Sequence, residues 1–275
     1  MVIDSHQHFW KYDAVKHSWI DESMGVLKND FLPVDLSVFL NNNQIDGCIS
    51  VQADESINEN DFLLELAEKF TFIKGVVGWI DMLSNNIQKS LEKYLDNKKL
   101  KGFRYVLQDK PQRDLMLSNV FLRNMATFSN YDFTYDILIL RDQLLFANEM
   151  VQRFPRQKFV IDHLAKPAIK RKELNQWKSD IKIISKYENV YCKLSGLVTE
   201  ADWNNFTPED LKPYMEVALE AFGTKRLMYG SDWPVCTLVA SYNFNYQAVK
   251  NFISTLSVNE QNDIMGNNAM LFYNL

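Results

Sequence analysis

The chain has 275 residues, 47% of them hydrophobic and 24% charged, with 30 Lys and Arg against 35 Asp and Glu for a net charge of −5. That apolar share belongs to a globular protein, and the mild acidity offers no field to hold a phosphate backbone, which argues against a nucleic-acid partner. No apolar run approaches the roughly 18 to 20 residues that a membrane span requires. The start, Met1-Val2-Ile3-Asp4-Ser5-His6, has neither the basic opening nor the apolar stretch of a secretory signal. The three cysteines, Cys48, Cys192 and Cys236, show no CxxC spacing and read as reduced, buried thiols. A cytoplasmic location is the expectation.

Short β-rich runs alternate with longer segments of helical period. The first run covers 2–9. A connection to about Leu32 follows, long for a βα loop, and carries Trp10, Tyr12, His17, Trp19 and Phe31. It is expected to form an aromatic flap over the site, with Trp10 turned to the pocket and Trp19 and Phe31 packed on the barrel wall. Further runs cover 46–53, 72–81, 100–107 and 133–140. Leu144, Ala147, Val151 and Phe154 then recur at three and four, the spacing of one helical face. Runs at 158–163 and 189–196 come next. Thr207-Pro208-Glu209 starts a helix with a hydroxyl cap and a first-turn proline, and Pro213 is expected to split it. After the last run, 226–232, Tyr242, Tyr246, Val249, Ile253 and Leu256 form a second apolar stripe, and 259–273 reads as an appended helix. Eight strand–helix units predict an α/β fold, a closed parallel (β/α)8 TIM barrel in one domain over 1–275. An open doubly wound sheet would want a GxGxxG turn after its first strand, and the chain has none there.

In such a barrel chemistry sits at the C-terminal strand ends. The first run ends His6-Gln7-His8, and a period of two points both imidazoles to one side, where they could chelate a divalent ion. Alone, HxH is a weak signal, equally met by core or surface histidines. Of only four histidines, however, His6, His8 and His163 end predicted strands, and Asp232 ends the eighth. A helix cap explains Asp232 singly, and a buried hydrogen-bonded ring explains His163 singly. Neither explains the set.

The His6-x-His8 start running on to Trp10, Asp162-His163-x-x-Lys166-Pro167 on the sixth run, Cys192-Lys193-Leu194-Ser195-Gly196 on the seventh and Gly230-Ser231-Asp232-Trp233-Pro234 on the eighth resemble the amidohydrolase superfamily. The resemblance covers essentially the whole chain. It points to the amidohydrolase-2 branch that includes the lactonases of L-fuconolactone and L-rhamnonolactone. It implies a metal-dependent-hydrolase type of barrel and hydrolytic opening of a sugar-derived lactone. The branch often carries Gly-x-Arg-His on strand four. Here Gly102-Phe103-Arg104 is followed by Tyr105, a departure that bears on substrate preference. No carboxylated-lysine bridge or second histidine pair is evident, so a binuclear site is not expected.

On this reading Asp232 is the general base that activates water. His6, His8 and Asp232 would hold one divalent ion, zinc first among candidates, with His163 a third imidazole ligand or an electrophile. Metal-free catalysis, with the imidazoles as hydrogen-bond donors, stays open. Arg104, Lys166, Lys193, Gln52, Trp10 and Trp233 are the candidate substrate-binding groups. Arg104 could equally form a rim salt bridge, and Lys193 could pair with an interior carboxylate such as Asp136. Two other readings keep the scaffold: a metal-dependent decarboxylase of an aromatic or unsaturated acid, and a non-catalytic ligand-binding barrel. Oligomeric state is not legible.

Overall fold

Eight strands, β1 (Ile3–Gln7), β2 (Gly47–Val51), β3 (Ile73–Trp79), β4 (Leu100–Val106), β5 (Thr134–Leu138), β6 (Phe159–Ile161), β7 (Val190–Leu194) and β8 (Leu227–Tyr229), lie parallel in sequence order in the computed structural model, which describes residues 1–275. The ring closes through a parallel bridge between Gln7 and Trp233. There the His8 amide donates to the Trp233 carbonyl (2.7 Å) and the Asp232 amide to the His6 carbonyl (2.8 Å). The architecture is the (β/α)8 barrel that the alternation predicts. Each predicted run contains one strand, and every strand ends before its run does, β1, β6 and β8 by two or three residues. The residues beyond those ends leave the ladder to build the site.

The surrounding helices are α1 (Pro33–Asn42), α2 (Ile57–Lys69), α3 (Ile87–Glu92), α4 (Asn119–Phe128), α5 (Leu144–Arg153), α6 (Asn175–Ile184), α7 (Leu197–Glu200), α8 (Pro208–Phe222), α9 (Tyr242–Ile253), α10 (Val258–Asn262) and α11 (Asn268–Tyr273). Ser56, Asn86, Ser118, Ser241 and Ser257 cap α2, α3, α4, α9 and α10 by accepting from a first-turn amide. Pro213 does not split α8, contrary to expectation. It sits so near the N-terminus that only the Glu209 carbonyl loses a partner. The buried stripe Leu211, Tyr214, Met215, Ala218 and Phe222 holds the helix continuous.

Strand alternation sorts the interior. Phe103, Tyr135, Phe159, Ile161, Cys192 and Leu227 face outward into the large core against the helices. Ile3, Ile49, Val51, Val77, Val160 and Met228 face inward and form an apolar floor with Ala269, Phe272 and Tyr273 of α11. The C-terminal segment is therefore more than appended. It is α10, one π-helical turn (Asp263–Asn267) and α11, and it plugs the barrel from below. No helix is long and apolar enough to cross a membrane.

Candidate active site

His6 and His8 converge because β1 changes register between Asp4 and Gln7. Ile3 belongs to the inward floor, so an unbroken period of two would turn His6 outward. The irregularity resets the parity, and both rings point in. At the end of β6 the chain enters a left-handed turn in which His163, Leu164, Ala165 and Lys166 all have positive φ (50° to 56°). Four such residues in succession store strain. The turn is anchored by the Trp177 indole, which donates to the Leu164 carbonyl at 2.8 Å, and it delivers the His163 ring to Ser195 Oγ (2.8 Å from Nδ1). Gly196 makes room for that ring, since a Cβ there would meet His163 Nδ1 at 2.5 Å, and its φ is +62°. Asp232, at φ +57°, follows β8.

These four groups meet. His6 Nε2 and His8 Nε2 are 3.2 Å apart. Asp232 Oδ1 lies 3.4 Å from His8 Nε2, 3.8 Å from His6 Nε2 and 3.8 Å from His163 Nε2. A tetrahedral ion with bonds of about 2.0–2.2 Å has ligand–ligand edges of about 3.3–3.6 Å. The His6, His8 and Asp232 atoms thus outline one face of such a polyhedron, and as two imidazoles and a carboxylate they can hold a divalent ion. His8 Nδ1 bonds the Val51 carbonyl at 2.8 Å, and His6 Nδ1 lies 3.3 Å from Asp162 Oδ1. Such outer partners orient ligating histidines.

Burial raises the Asp232 carboxyl, but the field of His163, the hydrogen bond from His8 and the fields of His6 and His8 outweigh it and hold the group well below the usual carboxylate range. Burial presses His163 down to about 4, against the pull of Asp232 and Asp162. His6 is pushed well below its ordinary value by burial and then by Lys193, with Asp162 opposing. At neutral pH the site is an ionised carboxylate among neutral His6 and His163 rings.

Beneath it lies a buried ionic layer. Asp162 takes Arg104 Nη1 at 3.0 Å on one oxygen and faces Lys193 Nζ at 2.9 Å with the other. Lys193 also pairs with Asp136 Oδ2 at 2.5 Å, which in turn accepts from the Tyr273 hydroxyl at 2.8 Å. Arg104 Nη2 donates to the Gln52 carbonyl at 2.5 Å. Of the two alternatives for Lys193, the interior pair with Asp136 holds. The expected substrate contact is corrected, because the ammonium is fully buried and lies outside the cleft lining. Sequence reasoning gave Asp162 no role, although it adjoins His163 in a quoted motif. Its signal was a charged residue at a parity shared with inward Val160.

A cleft of about 860 Å³ opens over the centre, with His8, Gln52, Arg104, His163, Lys166 and Asp232 in its wall. Trp10 and Trp233, expected in the pocket, are not there. Trp10 pairs with Phe31 at the neck of the first loop and packs on Trp19 and His17, and Trp233 packs among Phe9, Phe31 and Phe39. Trp10 is taken up by the loop's own small core and Trp233 by the main core against α1. The aromatic group that does face the cleft from this loop is Trp19, 38% exposed, which the sequence reading had packed away. Trp203 and Glu200 also line the cleft and went unnoticed, since neither belongs to a motif. Tyr105 points outward, edge-on to Phe121 of α4, so the strand-four departure concerns packing and not the cleft wall.

A parallel eight-stranded barrel with a His, His and Asp cluster at its strand ends is a hydrolase-type (β/α)8 scaffold. The amidohydrolase family profile matches residues 3–275, and the chain belongs to that family. It is 37% identical, over 99% of its length and 96% of the other's, to an L-fucono-1,5-lactonase of Burkholderia multivorans. A second L-fucono-1,5-lactonase, from Burkholderia ambifaria, is 31% identical over 87% of this chain and 82% of that one. A zinc-bound crystal structure of a Burkholderia multivorans amidohydrolase superposes with a TM-score of 0.96 at 37% identity, covering 100% of this chain and 99% of that one.

Proposed function

We propose that this chain hydrolyses the ester ring of a sugar-derived lactone, with residues 1–275 acting as one unit. The observation that carries the reading is the convergence of an ionised Asp232 with His6, His8 and His163 at the wall of a sugar-sized cleft. Names of relatives with near full-length similarity supply the lactone.

Ring opening needs an activated water, a polarised carbonyl and a proton for the departing ring oxygen. Asp232 is the general base, because it stays ionised where burial alone would neutralise it. The proton it takes from water is the one the ring oxygen needs on leaving. His163, neutral and held through Nδ1 by Ser195, presents Nε2 to the carbonyl oxygen. Gln52 and Lys166 in the wall are placed to hydrogen-bond sugar hydroxyls. Arg104 is committed to Asp162 and Gln52 and stiffens the wall behind them. A divalent ion held by His6, His8 and Asp232 would add Lewis-acid polarisation of the carbonyl.

The test is ring opening across a panel of aldonolactones, L-fucono-1,5-lactone first, followed by acid release in a weakly buffered indicator assay. Opening of at least one lactone well above the spontaneous rate is expected. No acceleration across the panel, or carbon dioxide release from an aromatic acid in its place, overturns the reading.

A further inference from the structure

Charged side chains that share a partly buried cleft tend to close into ion pairs, because burial without a partner costs free energy. Two cations of this cleft follow the rule: Arg104 is paired with Asp162 at 3.0 Å, and Lys110 with Glu55 at 2.8 Å. Lys166 and Glu200 do not. Both are half-buried in the cleft wall, and the charge of Lys166 reaches Glu200, yet no hydrogen bond or ion pair engages the Glu200 carboxyl. Arg141, the other cation whose field Glu200 feels, is turned toward Glu173 at 3.9 Å.

The backbone keeps the two groups apart. Lys166 ends the left-handed turn after β6, with φ +50°. Glu200 ends α7, a single turn that starts from Gly196 at φ +62°. That turn is pinned by Thr199, whose Oγ1 donates to the Gly196 carbonyl at 2.9 Å and whose own carbonyl accepts from the Trp203 indole at 2.9 Å.

An ammonium can only donate and a carboxylate can only accept. A ligand group that completes both must accept from Lys166 and donate to Glu200. A hydroxyl does so, and two neighbouring ring hydroxyls can divide the task between them. A carbonyl, an ether oxygen or a carboxylate satisfies the lysine alone. A carboxylate would also bring a further negative charge into a wall that already holds Glu200 and Asp232. We propose that Glu200 is a specificity-determining residue: with Lys166 it reads the ring hydroxyls of the lactone, and it turns away lactones that carry a carboxylate in their place. The substrate class is then a neutral, polyhydroxylated lactone. The inference rests on the lactone reading of the cleft for the kind of ligand, but its test needs no ring opening.

Six-membered lactams, with N–H in place of the ring ester oxygen, resist opening and serve as probes. One carries the hydroxyls of a sugar lactone, one carries none, and one carries a carboxylate instead. Calorimetric titration of the full chain is expected to rank the hydroxylated probe first, tighter than either other by about tenfold or more. Glu200→Gln keeps the shape and turns one acceptor into a donor. In it the preference for the hydroxylated over the carboxylated probe is expected to fall by about tenfold or more. Glu200→Ala is the second variant, with the same loss of preference expected. No preference for the hydroxylated probe in the parent, or an unaltered preference in a folded variant, overturns the proposal. A chain that ranks the probes as expected but opens no lactone loses the proposed activity and keeps this inference. One that opens lactones without the ranking loses the inference alone.

Discussion

Asp232 and Glu59 are both buried carboxylates, and their neighbours send them in opposite directions. Three imidazoles keep Asp232 ionised, which is what a water-activating base requires. Asp232→Asn keeps the shape and removes the basicity. Its kcat, measured on the best lactone of the panel, is expected to fall by about 10³-fold, while the melting profile of the chelator-stripped protein stays unchanged; retained activity would remove Asp232 from the proposed role. Burial raises the Glu59 carboxyl on α2 to about 7, with the charge of Asp54 adding to it, and neither the amides of Ala53 (2.9 Å) and Asp54 (3.4 Å) that donate to Oε1 beside the cleft nor the weak field of Lys16 offsets the rise. Its folded-state value exceeds the unfolded one, so the folded protein binds the proton more tightly. Stability from this group is present below about pH 4.5 and is lost as pH rises to about 7. The slope is at most about 1.4 kcal/mol per pH unit. Glu59→Gln retains the accepting oxygen and loses the ionisation. Urea unfolding between pH 5 and pH 7 is expected to show a flatter decline in the variant than in the parent, and parallel declines would count against this account.

At the scale of elements, the C-terminal segment does more than its amphipathic pattern suggests. Phe272 and Tyr273 of α11 reach into the barrel floor, Phe272 against Tyr191 at 4.9 Å between ring centroids and Tyr273 to Asp136. Phe272→Ala leaves a cavity where the surrounding strands cannot collapse, and should cost about 3–5 kcal/mol, read as a lower urea midpoint with an unchanged slope. A loss under about 1 kcal/mol would mean that the segment lies on the barrel without sealing it. The first loop behaves likewise. Its neck is zipped by Trp10 and Phe31, whose amides donate to each other's carbonyls (3.0 and 2.9 Å), so that Trp19 is left free to face the cleft.

For the whole molecule, the barrel closes where β8 meets β1, and the same residues, His6 to His8 and Asp232 to Trp233, form both the seam and the centre. Anything that binds His6, His8 and Asp232 together therefore also staples the ring. An ion at about 100 times its Kd adds about 2.7 kcal/mol, or roughly 5–10 °C in Tm for a chain of this size. Calorimetry of chelator-stripped protein with and without zinc is expected to show that rise, blunted in Asp232→Asn. Equal melting temperatures would argue against an ion at the seam.

Strand count, strand order and the four converging groups were legible in the linear chain, because each is a local matter: alternation of period two, helical stripes, and polar residues at the ends of apolar runs. The histidine pair was readable for a further reason, since His6 and His8 lie two residues apart and so share one face of β1. Three-dimensional packing alone decided the rest. Which indole reaches the cleft depends on how a loop folds upon itself, and Trp10 and Trp19 are indistinguishable by composition. That Lys193 faces two carboxylates and a histidine, that Asp162 stands behind His6, and that Tyr273 closes the floor all depend on inward positions of strands far apart in sequence. Closure of the ring makes those positions neighbours, and no short-range pattern records it.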